Sequence, residues 1–344
     1  MTMDEIAKSL GVSKSTVSRA LSGKGRIGKN KRQEIIEFAK QNGITVTEEK
    51  TVSSSAKKIS PENNNESPII TRNLGVVFPS DVYFNGSPFF YECLLGIYEA
   101  ASLMDYNVIV TTAAANDMTG IQKLLDEKHI DGLILTRNME DEHFLKQLTD
   151  RHFPVGLTGR CENPDVIQVD ADNSLAAENL VSLLVGEGYR KFAIVTDNMT
   201  FMVNQARYEG FCRGILKSGL SRDNQEFYSG KLSSELLETV MDDVMAKKVE
   251  CVICGDDVIC TKLMSKFQSA GYRIPKDIAI ASLYNSYSLE CFTPTITSVN
   301  ISARTMGNMI GRQLIQYIQG ASVPVKTFLD YEILLRKSTG RKKN

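Results

Sequence analysis

From Asn73 onward the chain alternates short unbroken apolar runs with longer stretches whose apolar residues recur every three to four positions. Runs without alternation mark strands buried on both faces, and the longer period marks amphipathic helices. Strands are expected at Leu74–Phe78, Asn107–Thr112, Asp131–Thr136, Pro154–Thr158 and Val166–Val169, with helices at Phe89–Met104, Thr119–Lys128 and Glu140–Arg151 between them. After Asp172-Asn173 a second series follows: a helix to Glu187, strand Lys191–Thr196, helices Phe201–Lys217 and Ser233–Lys247, strand Cys251–Cys254, helix Asp257–Ala270 and strand Ile278–Leu283. Repeated βα units of this kind predict an α/β fold of parallel, doubly wound sheets covered by helices. Two such subdomains form a cleft, and open α/β sheets bind ligands beyond the carboxyl ends of their strands.

The first 43 residues carry a different pattern. Thr2-Met3-Asp4-Glu5 is a capping box opening a helix with Ile6, Ala7 and Leu10 on one face; Gly11 stops it. Ser13 caps a second helix running to about Ser22, with Val17, Ala20 and Leu21 inward and Lys14, Ser15, Ser18 and Arg19 outward. A third helix, Lys29–Asn42, closes a small core with Ile35, Ile36, Phe38 and Ala39. Helix, glycine turn, helix is the helix-turn-helix signature, and short hydroxyls beside a long Arg suit a major groove.

Charge sharpens this division. Residues 1–43 hold nine Lys/Arg against four Asp/Glu, a net +5, which leaves −6 on the other 301 residues of a chain whose total is −1. A small basic module joined to a mildly acidic body predicts phosphate contacts at one end only, with an affinity that falls steeply with salt. No basic-then-apolar leader opens the sequence and no run of about 18 apolar residues occurs, so a cytosolic protein without membrane partners is expected.

The headpiece motifs Met3-Asp4-Glu5-Ile6-Ala7 and Gly11-Val12-Ser13-Lys14-Ser15-Thr16-Val17-Ser18-Arg19-Ala20-Leu21-Ser22 resemble the DNA-binding headpiece of the lactose repressor (LacI/GalR) family of bacterial transcription regulators. The resemblance implies base-edge contacts for Lys14, Ser15 and Arg19, and phosphate or groove-boundary contacts for Ser13, Thr16 and Ser18. Arg19 is suited to a guanine O6/N7 edge, worth roughly 1–3 kcal/mol of discrimination. Lys24, Arg26 and Lys29 can lie along phosphates. The loop Gly23-Lys24-Gly25-Arg26-Ile27-Gly28 matches GxGxxG in letters only, because it follows a helix and not the strand of a βαβ unit.

The same resemblance runs through Leu95-Gly96-Ile97, Asp131-Gly132-Leu133, Arg207-Tyr208-Glu209-Gly210, Gly255-Asp256-Asp257, Ile274-Pro275, Pro294-Thr295-Ile296-Thr297 and Arg336-Lys337-Ser338-Thr339-Gly340. It implies a periplasmic-binding-protein-like effector domain of two Rossmann-like lobes. Arg207 matches the family arginine that holds effector oxygens, and a guanidinium fork suits vicinal hydroxyls or a carboxylate. Asp256 stands where the family often has Asn, and Tyr284 where an Asp commonly contacts sugar. Asp81, Phe89, Arg137 and Arg160 sit at expected strand ends on the same rim.

Between the two regions, residues 44–72 form a polar, leucine-free tract in place of the family's Tyr-x-Pro-Asn step and hinge helix; a short helix near Ala56–Ile59 is only weakly indicated. Twenty-nine coil residues reach roughly 30 Å (about 5–6 Å × √29), comparable with half-sites roughly 34 Å apart. The expected organisation is therefore headpiece 1–43, linker 44–72, and effector-binding and dimerisation domain 73–344.

No cofactor or metal site is expected. His129, His143 and His152 are far apart and flanked by charge, and Cys251 and Cys254, three apart in an apolar strand, point to opposite faces. No nucleophile and base pair suggests an enzyme. The expectation is a repressor that binds palindromic operator DNA as a homodimer, with further pairing to a tetramer left open, and is switched by a small polar effector, a carbohydrate or derivative. A regulator switched by a protein corepressor and a cytosolic sugar-binding protein remain the alternatives.

Overall fold

The structure is a computed structural model that describes residues 3–14, 16–17, 31, 34–35, 38, 58–59, 70–80, 86–114, 118–138 and 142–340. It divides into two compact units, residues 1–56 and 57–344.

In the first unit, helix α1 (Met3–Ser9) ends where the chain turns through Gly11, whose φ is +62°. Ser13 then starts the next helical turn: its Oγ accepts from the Thr16 backbone N–H at 3.2 Å and lies 2.8 Å from the Thr16 hydroxyl. Ile6, Ala7, Val17 and Ile35 are buried together, with Leu10, Val12 and Phe38 packed against them. Ile6, Ala7, Leu10, Val17, Ile35 and Phe38 are residues expected inward from the sequence, and Val12 joins them; Ala20, Leu21, Ile36 and Ala39 lie outside the described residues.

The second unit opens with β1 (Lys58–Ile59), which pairs antiparallel with β12 (Val323–Pro324). Where the sequence weakly indicated a helix, the backbone at these two residues is extended; ladder bonds to a distant segment override a local helical tendency. Further along, the Asp131 carboxylate accepts from the backbone N–H groups of Thr71 and Arg72 at 2.8 Å each and from the Thr71 hydroxyl at 2.7 Å. The chain enters the body from this anchor.

The first lobe contains β2 (Asn73–Pro79), α2 (Pro88–Leu103), β3 (Asn107–Ala113), α3 (Thr119–Asp126), β4 (Gly132–Leu135), α4 (Glu142–Asp150), β5 (Val155–Thr158) and β6 (Ile167–Ala171). The chain then crosses through α5 (Asn173–Gly186) into β7 (Phe192–Thr196), α6 (Met202–Lys217), β8 (Glu226–Ser229), α7 (Ser234–Ala246), β9 (Cys251–Cys254), α8 (Asp257–Ser269), β10 (Ala279–Ser282), α9 (Tyr287–Glu290) and β11 (Thr297–Asn300). Beyond the last element read from sequence it returns through α10 (Ala303–Ile318), β12 and β13 (Lys326–Leu329) to the first lobe, and ends on β14 (Glu332–Leu334) in the second. One sheet has the order β13-β6-β5-β4-β2-β3 and the other β14-β11-β10-β9-β7-β8; every pairing in them is parallel except β11 with β14.

Each sheet is covered on both faces, so its central strands are apolar throughout. Cys251 and Ile253 face one core while Val252 and Cys254 face another, which places the two cysteines on opposite sides of β9 as their spacing requires. Two helix crossings hold the lobes in shape. At α2 and α10, a Cβ on Gly96 would lie 2.0 Å from the Arg304 carbonyl oxygen, and one on Gly307 2.0 Å from that of Cys93. At α5 and α6, a Cβ on Gly210 would lie 2.0 Å from the Ser174 carbonyl oxygen. Only glycine permits backbones to approach so closely.

Candidate functional site

The strands of both sheets end on a common cleft of about 200 Å³. Six of the positions singled out from sequence line it: Phe89, Arg137, Arg160, Arg207, Asp256 and Tyr284. Asp81 lies outside the described residues. Each of the six follows from local structure. Phe89 starts α2 after β2, Arg137 and Arg160 emerge from β4 and β5, Asp256 follows β9 and Tyr284 follows β10. The ends of β4 and β5 are pinned by the Thr136 hydroxyl donating to the Val77 carbonyl and the Thr158 hydroxyl donating to the Thr136 carbonyl, both at 2.8 Å.

Arg207 lies on α6, one turn before Gly210, so the close contact of Gly210 with α5 fixes the depth at which its side chain enters the cleft. It is 9% exposed and its Nε has no hydrogen-bond partner. Among the described residues no carboxylate comes within ion-pair distance of it, yet Asp256, Asp170 and Asp257 surround it. Burial pulls its pKa below the ordinary arginine value, and those carboxylates oppose the shift. A buried guanidinium with an unpaired donor, held in a negative field, is arranged to take an oxygen from a ligand.

The carboxylates are held separately. Asp170, at the end of β6, accepts from the Ala171 N–H at 2.8 Å and from Asn173 Nδ2 at 3.0 Å, and its other oxygen is 3.2 Å from Arg160 Nε. Burial raises its pKa. Asp256 caps α8 by accepting from the Ile259 N–H at 2.8 Å while also lining the cleft. Its pKa is pushed up to about 6, first by burial and then by Asp257 and Asp197, against the Ile259 N–H and Arg207. Asp257 is 2% exposed, and burial raises its pKa too.

Among the described residues, two ring contacts join the lobes across the cleft. The Phe89 and Tyr284 rings meet edge to face, centroids 5.5 Å apart, and Phe90 continues the stack from Phe89 at 5.2 Å. The Arg137 guanidinium sits 4.4 Å from the centroid of Phe201, at the start of α6.

Asn138, Asp170, Asp197, Phe201 and Asp257 also line the cleft and were not singled out from sequence. The strand-end rule could have found Asn138 and Asp197. Asp257, three residues past the end of β9, obeys the same rule, whereas Asp170 is still within β6, where polarity alone gives no sign of a cleft.

In the headpiece, Ser13 and Lys14 are exposed and Thr16 is half-buried. Ser15, Ser18, Arg19, Lys24, Arg26 and Lys29 lie outside the described residues.

A helix-turn-helix module followed by a two-lobed binding domain defines a ligand-responsive DNA-binding regulator. Residues 2–43 match the family described as bacterial regulatory proteins, lacI family, and residues 181–339 match the periplasmic binding protein-like domain. Residues 2–43 thus carry the lacI-family DNA-binding module, and the chain is a DNA-binding transcription regulator. It is 22% identical over 98% of both chains to the HTH-type transcriptional regulator CelR of Thermobifida fusca, and 25% identical to catabolite control protein A of Priestia megaterium over 98% of this chain and 99% of that one. The solved structure of a CelR–cellobiose complex superposes with a TM-score of 0.70 at 21% identity, covering 98% of this chain and 99% of that chain. These relatives are regulators, not enzymes. Among the described residues, no helix is long and apolar enough to cross a membrane.

Proposed function

We propose that the protein represses transcription as a homodimer on a palindromic operator and is switched by a small polar carbohydrate bound in the cleft between its lobes. The observation that carries the effector reading is Arg207: a buried guanidinium with an unpaired Nε, facing a cavity lined by Asp170, Asp256, Asp257 and Asn138. An oxygen acceptor for Arg207 and hydroxyl donors for the surrounding carboxylates are what a polyol offers at once. The CelR relative solved with cellobiose supports a carbohydrate as the class of effector. Operator contact falls to the headpiece, with Lys14, Ser15 and Arg19 on base edges, Ser13, Thr16 and Ser18 bounding the groove, and Lys24, Arg26 and Lys29 on phosphates. The exposed Tyr91 and Tyr98 of α2 and Val110 of the edge strand β3 are apolar residues that a second copy would cover. The protein acts in the cytoplasm and carries out no chemistry on its ligand.

The test is to select binding fragments from random duplex DNA with the full chain, map the protected sequence, and repeat the binding with a panel of sugars. A two-fold symmetric footprint whose affinity changes with one sugar supports the reading. An asymmetric footprint, or one indifferent to every sugar, contradicts the corresponding half of it.

A further inference from the structure

The two contacts that bridge the lobes also bound the space available to a ligand. In the second sheet Tyr284 follows β10 and Phe201 follows β7, with β9 between them. Strands lie 4.7–4.9 Å apart, so the ends of β10 and β7, from which these two residues lead, are separated by about 10 Å, with Asp256 and Asp257 at the carboxyl end of the strand between. Each is held from the opposite lobe, Tyr284 by Phe89 at 5.5 Å and Phe201 by Arg137 at 4.4 Å. Phe89 is itself backed by Phe90, so the Tyr284 side cannot yield without moving the start of α2. The cleft they flank has a volume of about 200 Å³. An apolar cavity of about 150 Å³ holds one benzene ring. Within that volume the cleft has room for one ring with its hydroxyls, and a second ring would have to pass Phe201 or Tyr284.

Charge narrows the ligand further. The lining contributes the guanidinium groups of Arg137, Arg160 and Arg207 against the carboxylates of Asp170, Asp197, Asp256 and Asp257, a surplus of one negative charge. Arg160 is already paired with Asp170 and Arg137 is stacked on Phe201. The unpaired Arg207 Nε lies in the field of three carboxylates. A phosphate or carboxylate on the ligand would meet that surplus, whereas a hydroxyl can accept from Arg207 and donate to a carboxylate.

We propose that the cleft selects one uncharged, hydroxyl-bearing ring, and that Phe201 and Tyr284, each braced from the opposite lobe, are the residues that exclude a second ring. This rests on the reading of the cleft as a carbohydrate effector site.

The test uses the full chain and measures melting temperature and binding isotherms. The probes are ribose, glucose, galactose and fructose as single neutral rings, glucose 6-phosphate and glucuronate as anionic rings, and maltose, cellobiose and lactose as two rings. The expected result is that at least one single neutral ring binds, with every anionic or two-ring probe at least ten-fold weaker than the best of them. Phe201→Ala and Tyr284→Ala should each narrow the gap between two-ring and single-ring probes at least five-fold, while Phe201→Tyr and Tyr284→Phe keep it. Should either alanine variant fail to melt cooperatively, Phe201→Val and Tyr284→Val make the same comparison. A two-ring or anionic probe binding the wild type as tightly as the best single ring overturns the proposal, as does an unchanged ratio in the folded truncation variants. If no sugar binds a cooperatively melting wild type, the carbohydrate reading falls and this proposal falls with it.

Discussion

Phe89 and Tyr284 meet edge to face across the cleft, centroids 5.5 Å apart and planes at 78°, one ring from each lobe. Such a pair contributes about 0.5–1.5 kcal/mol beyond the area it buries. Because the two residues lie 195 positions apart, their contact is one of the points at which the lobes feel each other. A double-mutant cycle of Phe89→Leu and Tyr284→Leu, measured by urea unfolding, should return a coupling of about that size. Additive single effects would show that the two rings only line the cleft independently.

Gly210 sets the position of Arg207. Gly210→Ala places a methyl 2.0 Å from the Ser174 carbonyl oxygen, so α6 must move away from α5. The expected cost is about 1–3 kcal/mol of stability, with a loss of effector affinity because Arg207 moves with its helix. Gly186→Ala is the control, since a Cβ there meets nothing within 4 Å. Equal effects of the two substitutions on melting temperature would dissolve this link.

Asp256 gives the stability a pH signature. Its carboxyl is raised from 3.8 to about 6 on folding, chiefly by burial. The folded protein therefore holds this proton more tightly than the unfolded chain. Stability from this residue is present below about pH 4 and is lost as pH rises through about 6. Asp256→Asn removes that slope and keeps a side-chain acceptor for the Ile259 N–H. Relative to wild type the variant should gain up to about 3 kcal/mol between pH 4 and pH 7, read from urea unfolding at the two pH values. A constant difference between the proteins would rule out the raised carboxyl.

The parts of the fold that sequence made legible are those buried on both faces. Central strands such as Cys251–Cys254 and Phe192–Thr196 are continuous apolar runs, and their limits were read to within a residue or two. β8, Glu226–Ser229, escaped because it is an edge strand with only half-buried alternate positions, and β13 and β14 are half-exposed in the same way. α10 carries Met306, Ile310 and Leu314 at helical spacing, yet nothing local announces that it returns to the first lobe. Phe89, Arg137 and Arg160 followed from the rule that ligands sit beyond strand ends, whereas Arg207, Asp256 and Tyr284 came from the family resemblance; all six fall in one lining. Asp170, still within β6, obeys no such rule; only the meeting of the two lobes makes it a cleft residue.

Ser13 illustrates a residue with two claims on it. Its hydroxyl accepts from the Thr16 N–H at 3.2 Å, so Ser13→Ala should cost the headpiece about 1 kcal/mol, while Ser13→Asn, a good capping residue, restores it. If DNA affinity recovers with stability in the Asn variant, the capping role accounts for the loss. Affinity that stays low in a restabilised headpiece assigns Ser13 a contact of its own.

DNA binding and effector response are separated most directly in one assay: binding of the selected operator, with and without the effector sugar, to wild type, Arg19→Ala and Arg207→Ala. Arg19→Ala is expected to lose specific operator binding but to keep its sugar-induced rise in melting temperature. Arg207→Ala is predicted to bind operator as wild type does, yet neither takes up the sugar nor responds to it on DNA. An Arg207→Ala protein that still answers the sugar at the wild-type midpoint would contradict the account.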